Sequence, residues 1–229
     1  MSESKFVVKN LHKNFIQGDK KVEVLRGIDA EFEHGKSYAV NGVSGSGKST
    51  FLHILGRLDE PTSGDVLFDD KSIFKLKDKQ RDLFLNQKIG FIFQFHYLIK
   101  ELTVLQNIML MGLIKGLDKD TCQKRAYDLL KLVGLTQKAE SLPTQLSGGE
   151  QQRVSILRSI FNNPKFLLAD EPTGNLDEDN AQIVINFLLK LKQDFGMGII
   201  LCSHDKAVYE KMDSIFNLHE GKLFAVKSK

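Results

Sequence analysis

The stretch Gly42-Val43-Ser44-Gly45-Ser46-Gly47-Lys48-Ser49 decides how the rest of the chain is read. It follows a short apolar run at 37–40 and opens an amphipathic pattern with Phe51, Leu52, Leu55 and Leu58 on one face. That periodicity predicts a strand, a glycine-rich turn and a helix from 48 to about 58. The pattern G-x-x-x-x-G-K-S in this setting is a phosphate cradle. Glycines let the backbone wrap so that successive N–H groups point at phosphate oxygens, and the helix N-terminus adds partial positive charge. The candidate phosphate-binding residues are Gly42, Ser44, Gly45, Ser46, Gly47, Lys48, Ser49 and Thr50. Lys48 is placed to reach the terminal phosphates, and the Ser49 hydroxyl to ligate Mg²⁺. The plainer alternative, a turn that only caps a helix, does not require the lysine.

A second signal lies downstream. Phe166-Leu167-Leu168-Ala169-Asp170-Glu171 is an apolar strand ending in two carboxylates. So apolar a strand is buried on both faces, and its C-terminal end falls at the ligand-binding edge of a parallel sheet. Asp170 is the candidate to hold Mg²⁺ and Glu171 the candidate general base. Alone, the pair could be a solvated turn before Pro172; beside a phosphate cradle it reads as catalytic. A third segment, Leu146-Ser147-Gly148-Gly149-Glu150-Gln151-Gln152-Arg153, opens another helix with Ser147 and two glycine amides at its start. It is either a simple cap or a second anion receptor. Two receptors with only one lysine suggest that they close on one nucleotide from opposite sides.

Around these segments the chain reads as strands at 6–8 and 22–25 about a polar turn, then a turn at Pro61-Thr62-Ser63-Gly64 and a strand at 65–68. A polar segment at 75–88 leads into a strand at 89–94. Helices are expected at 103–112, 120–133, 148–162 and 178–194, strands at 166–169 and 199–202, and a final hairpin turning at Glu220-Gly221. Strands alternating with helices predict an α/β fold with a mainly parallel sheet covered on both faces. The helical stretch is too long for one crossover, so it is read as a subdomain inserted at roughly 95–163 in a single domain spanning 1–229.

Bulk properties narrow the function. The chain has 229 residues, 41% hydrophobic and 27% charged, enough for one large α/β domain. A net charge of +3 is too slight for a nucleic-acid binder, so no nucleic-acid partner is expected. Two cysteines, Cys122 and Cys202, without CxxC spacing argue against a disulfide framework or zinc site and fit a reducing compartment. The start Met1-Ser2-Glu3-Ser4-Lys5 lacks the apolar core of a signal peptide, and the run from Leu102 to Ile114 is too short to span a bilayer.

The cradle at 42–49, Gln94, the 146–150 segment, the pair at 170–171, Asp177 and His204 resemble the ATP-binding cassette (ABC) family in order and spacing, over essentially the whole chain. The resemblance implies a P-loop NTPase with a RecA-like core, an N-terminal antiparallel β lobe and the helical insertion. It implies ATP with Mg²⁺, and a homodimer closing head to tail so that ATP lies between one Lys48 cradle and the partner's Ser147-Gly148-Gly149. Gln94 would touch Mg²⁺ and sense a transmembrane partner, and Asp177 would lie in a loop crossing the dimer interface. His204 would contact the γ-phosphate. Phe15 stands where the family usually has a Tyr stacked on adenine; a phenyl ring still stacks, though plain core packing is the alternative.

The stretch Asn86-Gln87-Lys88-Ile89-Gly90-Phe91-Ile92-Phe93-Gln94-Phe95-His96-Tyr97-Leu98-Ile99 resembles the lipoprotein-releasing branch, with residues Gln94 to Ile99 meeting the permease. A peripheral place on the cytoplasmic face of the inner membrane follows. Macrolide and peptide exporters and the cell-division ABC complex share the 169–177 segment, and Gln151, Leu157 and Ser159 depart from the lipoprotein-releasing pattern. A non-transport ABC ATPase acting on nucleic acid would carry a coiled coil or a tandem domain, and a P-loop kinase or GTPase has no use for 146–150 or His204.

Overall fold

The computed structural model describes residues 4–228; residues 1–3 and 229, and with them part of the stretch read for a leader, lie outside. The chain begins with a long hairpin, β1 (Lys5–Gln17) and β2 (Lys20–Glu33). Next come β3 (Ser37–Asn41), α1 (Lys48–Leu55), β4 (Ser63–Phe68) and β5 (Lys71–Ser72). The polar segment at 75–88, for which the sequence predicts no element, holds a helix, α2 (Asp78–Gln87), and the strand expected at 89–94 is the shorter β6 (Ile89–Ile92). Three helices follow: α3 (Val104–Lys115), α4 (Lys119–Leu132) and α5 (Gly148–Ile160). The chain closes with β7 (Phe166–Asp170), α6 (Glu178–Phe195), β8 (Gly198–Cys202), α7 (Lys206–Tyr209) and the hairpin β9 (Ser214–His219) and β10 (Lys222–Ser228).

Two sheets form. The antiparallel one runs β2-β1-β4-β5 and the other β10-β9-β3-β8-β7-β6. In the second, β6, β7, β8, β3 and β9 are parallel and only β10 is antiparallel. Every residue of β7 and β8 is buried, as strands covered on both faces require. Their alternation splits the core. Leu167, Ala169, Ile199 and Leu201 face the cluster built on Val154, Leu157 and Leu188 of α5 and α6. Phe166, Leu168, Ile200 and Cys202 face α1 and the antiparallel lobe. Phe6 welds that lobe to the sheet edge-on, 4.9 Å from Phe166 between ring centres. Each such fully buried ring or leucine contributes about 1.5–3 kcal/mol.

The parallel register has one consequence for function. The C-terminal ends of β3, β6, β7 and β8 share an edge, and Asn41-Gly42, Phe93-Gln94, Glu171 and Ser203-His204 all leave the sheet there. Among the described residues no helix is long and apolar enough to cross a membrane.

Candidate active site

The cradle has the conformation its glycines predict. Gly42, Gly45 and Gly47 have φ of 155°, 77° and 102°. A Cβ on Gly42 would lie 2.5 Å from the Leu218 carbonyl, so only glycine fits this close approach. Gly47 is the N-cap of α1 and supplies no side-chain cap, and the first turn holds no acidic residue. The leading amides of α1 are therefore left to an anion, in the favourable field of the helix. Lys48 is 8% exposed, and its Nζ donates to the Gly42 and Val43 carbonyls at 2.9 and 3.2 Å. It lies along the loop, 4.0 Å from Glu171 Oε1. The Ser46 hydroxyl is buried without a hydrogen-bond partner, a further donor inside the loop.

The two carboxylates divide by environment. Asp170 is 9% exposed and accepts from Ser49 Oγ at 3.0 Å. Burial pushes its carboxyl up, against the Ser49 hydrogen bond and His53, which pull it down. Glu171 turns out of β7 at φ 45°, and His204 Nδ1 lies 2.9 Å from its Oε1. Lys48, Ser49, Glu171 and His204, with Ser44, Gly45, Gly47, Thr50 and Gln94, line one cleft of about 620 Å³. That is ample for a nucleotide triphosphate tail. Gln94 lies just past β6; its carbonyl accepts from Asn175 Nδ2 at 3.1 Å, and its side chain lies beside Gly174.

Mg²⁺ suits this donor set. A hydroxyl, a carboxylate already in contact with it and a nearby amide are hard oxygens, few in number, as a cation that keeps waters and shares phosphates requires. A buried, desolvated carboxylate also gains from an adjacent cation.

Other expected site residues lie elsewhere. Ser147, Gly148 and Gly149 start α5 outside that cleft, with Ser147 and Gly148 exposed. Ser147 and Glu150 form a capping box, Glu150 N donating to Ser147 Oγ at 3.3 Å and Ser147 N to Glu150 Oε2 at 2.8 Å. Asp177 caps α6 by accepting from Asn180 N, and Asn180 packs on Gly149, where a Cβ would meet its Oδ1 at 2.2 Å. The segment holding Asp177 thus abuts the start of α5. Phe15 is 39% exposed at the tip of β1, which excludes plain core packing.

Two residues of the site escaped the sequence reading. Val24 of β2 lines the cleft, brought there by the β1–β2 pairing, which no local motif announces. His53 places Nε2 3.7 Å from Asp170 Oδ2, with its ring against Phe91 and Phe93. Its signal was available: His53 is four residues beyond Ser49, on the same helix face.

Comparison with known proteins gives the family. The family model described as ABC transporter matches residues 25–174. The lipoprotein-releasing system ATP-binding protein LolD of Syntrophus aciditrophicus (strain SB) is 44% identical over 216 residues, covering 94% of this chain and 97% of that protein. The protein of the same name from Legionella pneumophila (strain Paris) is 43% identical over 215 residues, covering 94% and 95%. Among solved structures, dimeric MJ0796, a bacterial ABC transporter cassette, matches with a TM-score of 0.89 at 35% identity, covering 98% of this chain and 100% of that one. The dimeric post-hydrolysis MJ0796 cassette bound to ADP and Pi matches with a TM-score of 0.90 at 35% identity, covering 98% and 99%. Likeness of this length and depth makes one assignment: the chain belongs to the ABC transporter family, as an ATP-hydrolysing subunit.

Proposed function

We propose that this subunit powers release of lipoproteins from the bacterial inner membrane, working as a head-to-tail homodimer beneath transmembrane permeases. The names of its relatives support the cargo, and the observation that carries the docking is the surface past Gln94. There Phe95 and Tyr97 are 61% and 63% exposed. Exposed aromatics side by side are what a permease surface would cover. The departures at 151, 157 and 159 are compatible with this reading: Gln151 Nε2 donates to the Leu146 carbonyl, Leu157 is fully buried, and Ser159 donates to the Ile156 carbonyl. Residues 1–229 act as one domain, with the helical insertion at roughly 95–163 carrying the docking surface. The subunit sits peripherally on the cytoplasmic face.

The chain's own residues would then act as follows. Amides of the Gly42–Ser49 loop and Lys48 Nζ hold the phosphates, and Phe15 stacks on adenine. Ser49, Asp170 and Gln94 would hold Mg²⁺, which when bound neutralises phosphate charge. The partner's Ser147, Gly148 and Gly149 close over the triphosphate, and the Asp177 loop lies across the interface. Glu171 Oε1 accepts a proton from the attacking water, while His204 holds that carboxylate and faces the γ-phosphate.

The shared site has a direct test. Ser147→Arg should leave ATP binding to the monomer intact and abolish both dimerisation on size-exclusion chromatography and turnover. Normal hydrolysis by that variant would end the head-to-tail model. Glu171→Gln should retain ATP, accumulate as a dimer and lose turnover by about 10²–10⁴-fold, the usual worth of a general base. Co-purification with two co-encoded four-span permeases, and release of a lipoprotein from spheroplasts only when both are present, checks the cargo.

A further inference from the structure

Lys13 lies two residues before Phe15, and its side chain is only 12% exposed. Its Nζ donates to Asp59 Oδ1 at 2.6 Å and to the Glu60 carbonyl at 2.7 Å, and lies over the Phe15 ring, 4.9 Å from the centroid. Asp59 and Glu60 belong to the turn that ends α1. The amides of Leu58 and Asp59 both donate to the His53 carbonyl, and Asp59 Oδ1 also accepts from the Glu60 amide. The lysine thus fastens the tip of β1 to one end of the helix whose other end is the phosphate cradle. A phenyl ring has no hydroxyl by which to be oriented, so packing and the cation must set its plane. An ammonium drawn this far from water and held by a carboxylate and a carbonyl is a fixed point.

We propose that Lys13 is a positioning residue for the nucleotide base: it covers one face of Phe15, leaves the other face to the purine, and fixes the span between that ring and the cradle. This rests on the reading of Phe15 as the adenine platform.

The test is calorimetric titration of the full chain with ADP, CDP and inorganic pyrophosphate, which need no turnover. If Phe15 is the platform, Phe15→Ala should weaken ADP on the order of tenfold, as loss of a base–aromatic stack does, and erase the preference for ADP over CDP. Pyrophosphate affinity should stay within about twofold, because the cradle is untouched. Lys13→Met should reproduce that profile, while Lys13→Arg, which keeps a cation on the ring and a partner for Asp59, should restore most of the ADP preference. Unchanged ADP binding in Phe15→Ala would remove the platform and the proposal with it. A loss in Phe15→Ala but parental ADP binding and preference in Lys13→Met would overturn the role of Lys13 and leave the platform standing. A parallel fall in pyrophosphate affinity in Lys13→Met would also overturn it, showing a general structural prop.

Discussion

Glu171 holds the left-handed conformation, φ 45°, that costs a non-glycine residue about 1 kcal/mol or more. Its amide donates to the Cys202 carbonyl at 3.0 Å, and its carbonyl accepts from Gly174 at 3.1 Å, so the turn is imposed from both sides. The strain has a purpose: β7 must turn at once for the carboxylate to enter the cleft beside Lys48. Glu171→Gly should therefore be more stable than Glu171→Ala by about 1 kcal/mol in denaturant midpoints, although both are inactive. Equal midpoints would mean that the turn stores nothing. Lys48, Ser49, Asp170 and Glu171 were legible as candidate site residues because a cradle and an acidic strand end are contiguous stretches of chain, whereas His204 was named only through the family resemblance and its spacing. Lys13, Val24 and His53 acquire their neighbours through strand pairing or helix packing between distant segments, and only His53 carried a periodic hint.

At the level of elements, the loop past Gln94 is held by residues no motif names. Asn107, fully buried in α3, accepts from the Ile99 amide at 2.8 Å and donates to the carbonyls of Ile99, Leu102 and Thr103 at 3.0–3.1 Å. Arg158 of α5 donates to the carbonyls of Tyr97 and His96 at 2.8 and 3.1 Å. Tyr97 itself has φ 45°. Asn107→Ala leaves the Ile99 amide and the Leu102 carbonyl to find other partners, while the Ile99 and Thr103 carbonyls still accept from the Leu102 and Asn107 amides, and should cost about 2–4 kcal/mol in chemical unfolding. A cost under about 0.5 kcal/mol, as at an exposed surface site, would show that water replaces the amide freely. Helices α4 and α5 lie within two residues of their predicted spans, whereas α3, opened by the Thr103–Gln106 capping box, runs past the expected 112 to Lys115, where Gly116 ends it. The helix at 48 stops at Leu55 instead of near 58 because Gly56 caps it, and Leu58 is half exposed. α2 escaped detection because its only buried residues are Phe84 and Asn86, too few to make a stripe. β1 and β2 run far beyond the short strands expected, since register shifts between Val8 and Asn14 break their alternation.

Across the molecule, the two edges of the parallel sheet are built differently. The C-terminal edge carries the left-handed Glu171, the buried Asp170 and the partnerless Ser46 hydroxyl. The N-terminal edge is tied by Asp213, just before β9, which accepts from Ser37 N and Oγ at 2.7 and 2.8 Å and from Lys192 of α6 at 2.7 Å. Strand β3, the entry to β9 and a covering helix thus meet at one carboxylate. Burial raises that carboxyl, but Lys192 and Ser37 outweigh it and hold it below the usual aspartate range. A depressed folded pKa adds stability that is complete above the ordinary aspartate value of about 3.9 and is lost as pH falls through the lowered folded value. Asp213 is 35% exposed, so solvent screens the pair, and the charge is worth on the order of 1 kcal/mol. Asp213→Asn should therefore be less stable than the parent at pH 7, and the gap should begin to close as pH falls through about 4, where the unfolded aspartate protonates, and finish closing only below the lowered folded value, where the native side chain is neutral too. Denaturant midpoints measured from neutral to acid pH check this. A gap that stays constant to the lowest pH would assign the tie to shape and neutral hydrogen bonding, and would leave the charged node no part in offsetting the strained edge.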